Sequence, residues 1–193
     1  MKRILFIRHG KTQWNLEKRL QGRRDIPLCE EGVELLQKCV VPDEFKTYSW
    51  SVSPLRRAQE TAQLLGARPT PPEPALIEMD WGKWEGQTIK ELRQLYGPDM
   101  AEIEARGCHM TPPNGESPAM VVARLKPWLE NLVGDTIAIT HKGVIRAVQS
   151  LAYNWDMTDK SPVEFNWAAG HLFILDETGI IRPEQININL ESE

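Results

Sequence analysis

The chain has 193 residues, three cysteines and a formal net charge of −4 at pH 7. This length suits one compact domain with its own core, so we expect a single domain over residues 1–193. A net negative chain without a basic stripe argues against a nucleic-acid partner. The apolar run at residues 4–7 is too short for a signal peptide, and no segment is apolar enough to span a membrane. We therefore expect a cytoplasmic protein without a membrane partner, and the odd cysteine count fits a reducing compartment.

Three short apolar runs predict buried strands, at residues 3–7, 48–52 and 136–140. Amphipathic helical patterns follow the second and third of these runs. Strand followed by helix, repeated, predicts an α/β domain with a mostly parallel sheet. Near the end of the chain, "HLFIL" and "INI" flank a "DETG" turn and predict a terminal hairpin.

Local signals mark helix starts and a long loop. Ser53 before Pro54 predicts a capped helix with proline at its first position, and Thr88 with Glu91 has the spacing of a capping box. The region of about 86–120 includes a proline-rich stretch and is expected to form a lid or insertion beside a binding site. Within it, the loop of residues 98–120 would form one wall.

Cationic and imidazole side chains follow the predicted strands directly. Arg8 and His9 come after the first strand, and His141 comes after the strand at 136–140. Ligands bind beyond the carboxyl ends of the strands in open α/β sheets, so these groups are expected to meet at one edge. Arginine matches phosphate oxygens, and a neutral imidazole can attack phosphorus.

The spacing leaves two choices open. The segment "SPLRRAQETA", residues 53–62, offers Arg56 and Arg57 equally, because both lie off the apolar helix face. A general acid for the leaving oxygen could come from the segment "LIEMDWGKWEG". Its carboxylates are Glu78, Asp80 and Glu85.

Four segments occur together in this order: "RHGKTQWN", "SPLRRAQETA", "LIEMDWGKWEG" and "THKGV". Together with "LQGRRDIPLCEEG" at residues 20–32, they resemble the phosphoglycerate-mutase-like branch of the histidine phosphatase superfamily. The resemblance covers roughly residues 3 to 150 and implies a three-layer α/β/α fold with a mostly parallel central sheet. Within this branch, the chain is similar to alpha-ribazole phosphatases and related small-molecule phosphatases.

The resemblance also implies roles for single residues. His9 matches the histidine that is transiently phosphorylated, Arg8 and Arg57 match the arginines that hold the phosphoryl group, Glu78 matches the acid that protonates the leaving group, and His141 matches the second pocket histidine. Asn15, Gln21 and Gly22 match phosphate- or substrate-binding positions. Lys142 stands where the family often has glycine, and it either adds a cation near the substrate or points to solvent.

The expected function is a metal-independent, cofactor-free phosphatase that hydrolyses a small phosphorylated metabolite through a phosphohistidine on His9. One alternative is a cofactor-dependent phosphoglycerate mutase, which the short chain and its "NLESE" tail disfavour. The other is a non-catalytic phosphate-binding module, which the presence of His9 and Glu78 disfavours. Either a monomer or a homodimer is compatible with the sequence. His171 is expected on the solvent face of a strand. Surface positions are expected for Arg23, Arg24, Arg56 and Arg146, with contact to the substrate as the alternative for one of these four.

Overall fold

A central five-stranded sheet organises the molecule, which we describe for residues 1–192 of a computed structural model. The strand order is β2-β3-β1-β4-β5. The strands are β1 (Lys2–Arg8), β2 (Ser49–Val52), β3 (Thr136–Thr140), β4 (Gly170–Leu175) and β5 (Ile181–Ile188). The helices are α1 (Gln13–Leu16), α2 (Glu30–Leu36), α3 (Arg56–Leu64), α4 (Ile89–Tyr96), α5 (Pro98–Glu104), α6 (Pro118–Asn131) and α7 (Lys142–Tyr153).

The sheet is mixed, so the prediction of a mostly parallel sheet holds only in part. β1 and β2 both pair in parallel with β3, whereas β4 is antiparallel to β1 and β5 is antiparallel to β4. The predicted hairpin is confirmed and explains the antiparallel pairing of β4 with β5. Two strands joined by the short turn at residues 176–180 can pair only in antiparallel fashion.

Helices cover both faces of the sheet, which gives the predicted three layers. In β1, Ile4 and Phe6 pack in the cluster that contains residues of α6 and α7. The alternating residues Leu5 and Ile7 pack in the cluster that contains residues of α2 and α3. This alternation follows from the two-residue period of a strand and explains why the run is apolar throughout.

The carboxyl ends of three strands converge at one edge. The backbone N–H of His9 donates to Thr140 O (2.9 Å), and the N–H of Ser53 donates to Ile139 O (3.0 Å). The loops that leave β1, β2 and β3 are therefore fixed side by side. The parallel part of the sheet is thus the part that positions the site.

The segment 86–120 packs with the preceding Trp84 in a small apolar cluster. Trp84, Leu92 and Met100 are the buried residues of this cluster. The predicted capping box is confirmed at the start of α4, where the Glu91 carboxylate accepts from Thr88 N (2.7 Å). No helix among residues 1–192 is both long and apolar enough to cross a membrane.

His171 lies in the core, and its predicted place on a solvent face is wrong. Its side chain is 1% exposed and stacks on Phe165, with ring centroids 4.2 Å apart. The segment before β4 folds over this face of the hairpin, which the strand pattern alone does not reveal. Burial lowers the pKa of His171 to about 4.

We expect buried His171 to make the fold acid-sensitive. Because its folded pKa lies below the unfolded value of 6.5, the unfolded chain binds the proton first as the pH falls. This residue should cost about 2 kcal/mol of unfolding free energy between about pH 7 and pH 5. Urea unfolding of His171→Leu at both pH values should show a smaller acid loss than wild type. His109→Leu, which removes an exposed histidine, should keep the wild-type loss; equal losses in all three proteins would refute the assignment.

Candidate active site

A cavity of about 420 Å³ opens at the edge where the three strands end. Seven of the nine predicted site residues line it: Arg8, His9, Asn15, Gln21, Arg57, Glu78 and Lys142. The other two lie behind this lining. The His141 ring is fully buried, with its centroid 5.0 Å from that of His9, and Gly22 contacts Arg57 through its carbonyl oxygen.

His9 is held as a neutral imidazole with its lone pair on Nε2. Its Nδ1 lies 2.7 Å from Gly10 O, and since a carbonyl only accepts, Nδ1 carries the hydrogen. Burial lowers the pKa of His9 well below its usual value, and the positive charges of Arg8 and Arg57 lower it further. A lone pair on Nε2 is what nucleophilic attack on phosphorus requires.

Arg57 is buried beside the nucleophile in a fixed orientation. Its Nη1 donates to Arg24 O (2.7 Å) and its Nη2 donates to Gly22 O (2.8 Å). Its Nε lies 3.3 Å from His9 Nε2 and donates to it. Gly22 has a φ of +52°, and a Cβ there would collide with the Glu85 carboxylate. Gly22 therefore allows the turn whose carbonyl orients Arg57.

Two buried polar groups at the site have no hydrogen-bond partner among residues 1–192: Arg8 Nε and His141 Nδ1. His141 Nε2 lies 2.6 Å from the Ser53 hydroxyl, which itself accepts from Leu55 N (3.4 Å). With that hydroxyl donating to Nε2, the hydrogen of the imidazole sits on Nδ1. Buried donors of this kind normally have an acceptor, and an anion would supply one.

Ser53 has a different role from the predicted helix cap. α3 begins at Arg56, with Leu55 in the cap position, and Pro54 precedes the helix. The Ser53 hydroxyl instead faces His141. The Ser53–Pro54 pair is a local signal for a helix start. It carries no information about His141, which contacts Ser53 from the end of another strand.

Glu78 is a buried carboxyl group at the same cavity. Its Oε1 accepts from Met79 N (2.8 Å) and its Oε2 accepts from Gly143 N (3.3 Å). Burial raises the pKa of Glu78, and this effect outweighs the lowering by those hydrogen bonds and by Arg57. A carboxyl group that keeps its proton to higher pH is suited to protonate a leaving oxygen.

A half-buried ion pair stabilises the segment that carries Glu78. Arg124 in α6 donates to the carbonyl oxygens of Ala75 and Ile77, and its Nε donates to Glu116 Oε1 (3.2 Å). The other oxygen of Glu116 accepts from Asp80 N (3.1 Å). Backbone on both sides of Glu78 is therefore tied to α6.

Gly143 leaves the space that Glu78 occupies, because a Cβ at this position would collide with Glu78 Oε1. We expect Gly143→Ala to displace the carboxyl group and lower kcat/KM about 100-fold, since misplacement by about 1 Å has effects of this size. Gly134→Ala is the matched control, because nothing lies within 4 Å of a Cβ at position 134. Unchanged turnover by Gly143→Ala would show that the position of Glu78 is not critical.

Asn15 and Gln21 are connected through Thr12. Thr12 N donates to Asn15 Oδ1 (3.0 Å) in the capping box of α1, and the Thr12 hydroxyl donates to Gln21 Oε1 (2.8 Å). Both carbonyl oxygens are thereby used, so the amide NH₂ groups remain as donors at the cavity.

Apolar side chains form much of the remaining wall. Met79 and Trp81 come from the segment around Glu78, whereas Ile89, Met110 and Pro118 come from the region 86–120. Lys142 lies at the exposed side of the cavity, with its Nζ 4.8 Å from the centroid of the Trp167 ring. Arg146, expected at the surface, also lines the cavity.

Comparisons with known proteins agree with this architecture. The model of the histidine phosphatase superfamily (branch 1) matches residues 4–179. A 2,3-bisphosphoglycerate-dependent phosphoglycerate mutase of Parvibaculum lavamentivorans is 27% identical, over 95% of each chain. The crystal structure of TTHB049 from Thermus thermophilus has a TM-score of 0.76 and 28% identity, with 97% of this chain and 99% of that chain covered.

A mycobacterial glucosyl-3-phosphoglycerate phosphatase in complex with VO3 shares the fold. Its TM-score is 0.79, with 22% identity and coverage of 98% of this chain and 100% of that chain. The family match covers most of the chain and includes every predicted site residue. The protein is a member of the histidine phosphatase superfamily, branch 1.

Proposed function

We propose that the protein is a phosphatase that hydrolyses a small phosphomonoester through a phosphohistidine on His9. The observation that carries this proposal is one small space shared by a neutral nucleophile, the half-buried Arg8, the buried Arg57 and a buried carboxyl group. Arg8 Nε and His141 Nδ1 supply unused donors for phosphoryl oxygens. The two guanidinium groups match the charge of a phosphate dianion, which is why we propose a reaction without a metal or cofactor.

The reaction would proceed in two steps. In the first, His9 Nε2 attacks phosphorus, the bond to the ester oxygen breaks, and that oxygen takes the proton of Glu78. In the second, water attacks phosphorus while the Glu78 carboxylate accepts its proton, and the bond to Nε2 breaks. Inorganic phosphate leaves, and both residues return to their starting protonation states.

The character of the cavity wall favours hydrolysis over mutase activity. Side chains such as Trp81, Ile89 and Met110 suit a substrate with an apolar portion, whereas phosphoglycerate is polar throughout. The second candidate remains a 2,3-bisphosphoglycerate-dependent phosphoglycerate mutase, because a relative matched over 95% of its length carries that name. A mutase would use the same phosphohistidine but return the phosphoryl group to a second hydroxyl.

Three assays separate the candidates. We expect release of nitrophenol from p-nitrophenyl phosphate, at an unchanged rate in the presence of EDTA. We expect slow or no interconversion of 3-phosphoglycerate and 2-phosphoglycerate when 2,3-bisphosphoglycerate is supplied. Rapid interconversion with negligible ester hydrolysis would favour the mutase. Retention of vanadate with neither activity would favour a binding module.

A further inference from the structure

Beyond the phosphoryl site, α7 presents two cations to the same cavity. Lys142 is the first residue of α7, and Arg146 follows one turn later on the same helix face. Both line the cavity, and neither forms an ion pair with a carboxylate within the described part of the chain. Burial and the neighbouring positive charge of Arg8 lower the pKa of Lys142.

Outside the phosphoryl site, two other charged side chains at this cavity, Arg19 and Glu104, are already paired. Arg19 donates to Glu17 Oε2 (2.7 Å) and to Gly86 O (2.7 Å). Glu104, the acidic side chain of the region 86–120 at the cavity, accepts from Arg93 Nη2 (2.9 Å). Lys142 and Arg146 therefore differ from these neighbours, because their charges are not neutralised by the protein.

Aromatic rings hold both cations in place. Lys142 Nζ lies 4.8 Å from the centroid of the Trp167 ring, and Arg146 Cζ lies 5.0 Å from that of the Trp155 ring. A cation over an aromatic face is attracted without being neutralised. These contacts reduce the freedom of two long side chains, so that less entropy is lost when they bind an anion.

We propose that Lys142 and Arg146 bind a second anionic group of the substrate, one helical turn along α7 from the phosphoryl site. This inference rests on the proposed function, since it assigns the substrate class of that same site. The substrate would be a phosphomonoester whose apolar portion contacts the wall near Trp81 and Met110 and carries a carboxylate or similar anion. The phosphoryl group would lie at His9, where the N-terminus of α7 meets Glu78.

The test compares 4-carboxyphenyl phosphate with 4-carbamoylphenyl phosphate, which have the same shape and differ in one charge. We expect wild type to favour the carboxylate by about fivefold or more in kcat/KM, as measured by phosphate release. Lys142→Met and Arg146→Met should each bring that ratio towards one, and added salt should do the same in wild type. Lys126→Met, which removes an exposed lysine of α6, should keep the wild-type ratio.

Calorimetry with the corresponding benzylphosphonates separates this proposal from the proposed hydrolysis. A preference for the carboxylated phosphonate that both variants lose would support the anion site even if no ester were hydrolysed. Hydrolysis of both esters with no preference in wild type would overturn the anion site and leave the phosphatase proposal intact. A preference that persists in both variants would also overturn it.

Discussion

We expect His9→Ala to lower kcat for any hydrolysed phosphomonoester by at least about 10⁴-fold, because removal of a nucleophile abolishes the covalent route. In the structure His9 Nε2 carries the lone pair beside Arg57, and no other imidazole lines the cavity among the described residues. Phosphate release from p-nitrophenyl phosphate measures the loss.

Two controls make this result specific. His109→Ala removes an exposed histidine and should keep wild-type turnover. His9→Ala should still bind vanadate, although more weakly, because the arginines remain. This binding can be measured as protection against thermal unfolding. Wild-type turnover by His9→Ala would remove the basis of the proposed mechanism.

We expect Glu78→Gln to lower kcat by about 10²- to 10⁴-fold for alkyl phosphates, whose leaving oxygen needs a proton. The loss should be smaller for p-nitrophenyl phosphate, because nitrophenolate leaves without protonation. Gln keeps the shape of the side chain and its acceptor for Met79 N but has no proton to transfer. Equal losses for both kinds of ester would indicate a structural rather than an acid role.

The pH profile gives the same residue a second test. The first step needs His9 neutral, so activity should rise as the pH rises through its lowered pKa. It also needs Glu78 protonated, so activity should fall as the pH rises through its raised pKa. A bell-shaped profile is expected for wild type, and Glu78→Gln should lose the alkaline fall. A profile unchanged by this substitution would contradict the assignment.

The sequence predicts where the site lies better than which residues form it. Apolar runs that end in Arg8, His9 and His141 locate the site, because residues after parallel strands meet at one edge. Spacing could not choose between Arg56 and Arg57, because the two residues differ in burial and in their contacts, which the sequence does not show. Arg57 is buried at the cavity, whereas Arg56 is exposed and paired with Glu60.

The three candidate carboxylates show the same limit. Asp80 accepts from Gly82 N (2.8 Å) and Glu85 accepts from Arg23 N (2.7 Å), so both stabilise backbone turns. Glu78 alone of the three is buried. The family resemblance singles it out, and its raised pKa comes from packing that the sequence does not show.

Long-range packing explains the remaining differences. Arg146 lies on a helix that the apolar pattern after residue 140 predicts, but its side chain at the cavity packs against Trp155, which follows α7. The antiparallel part of the sheet is a hairpin whose first strand, β4, pairs with β1. Strand patterns alone predict neither this neighbour nor its direction. The need for glycine at position 143 cannot be predicted from "THKGV", because it depends on contact with the distant Glu78.

Identification of the phosphorylated residue tests the central claim most directly. The enzyme would be mixed with a ³²P-labelled phosphomonoester, quenched in alkali within milliseconds, and digested for mass spectrometry. We predict a phosphoryl group that is stable in alkali, labile in acid, and located on His9 at the burst of turnover. Label on another side chain, or steady hydrolysis with no labelled protein under conditions that trap phosphohistidine, would contradict the account.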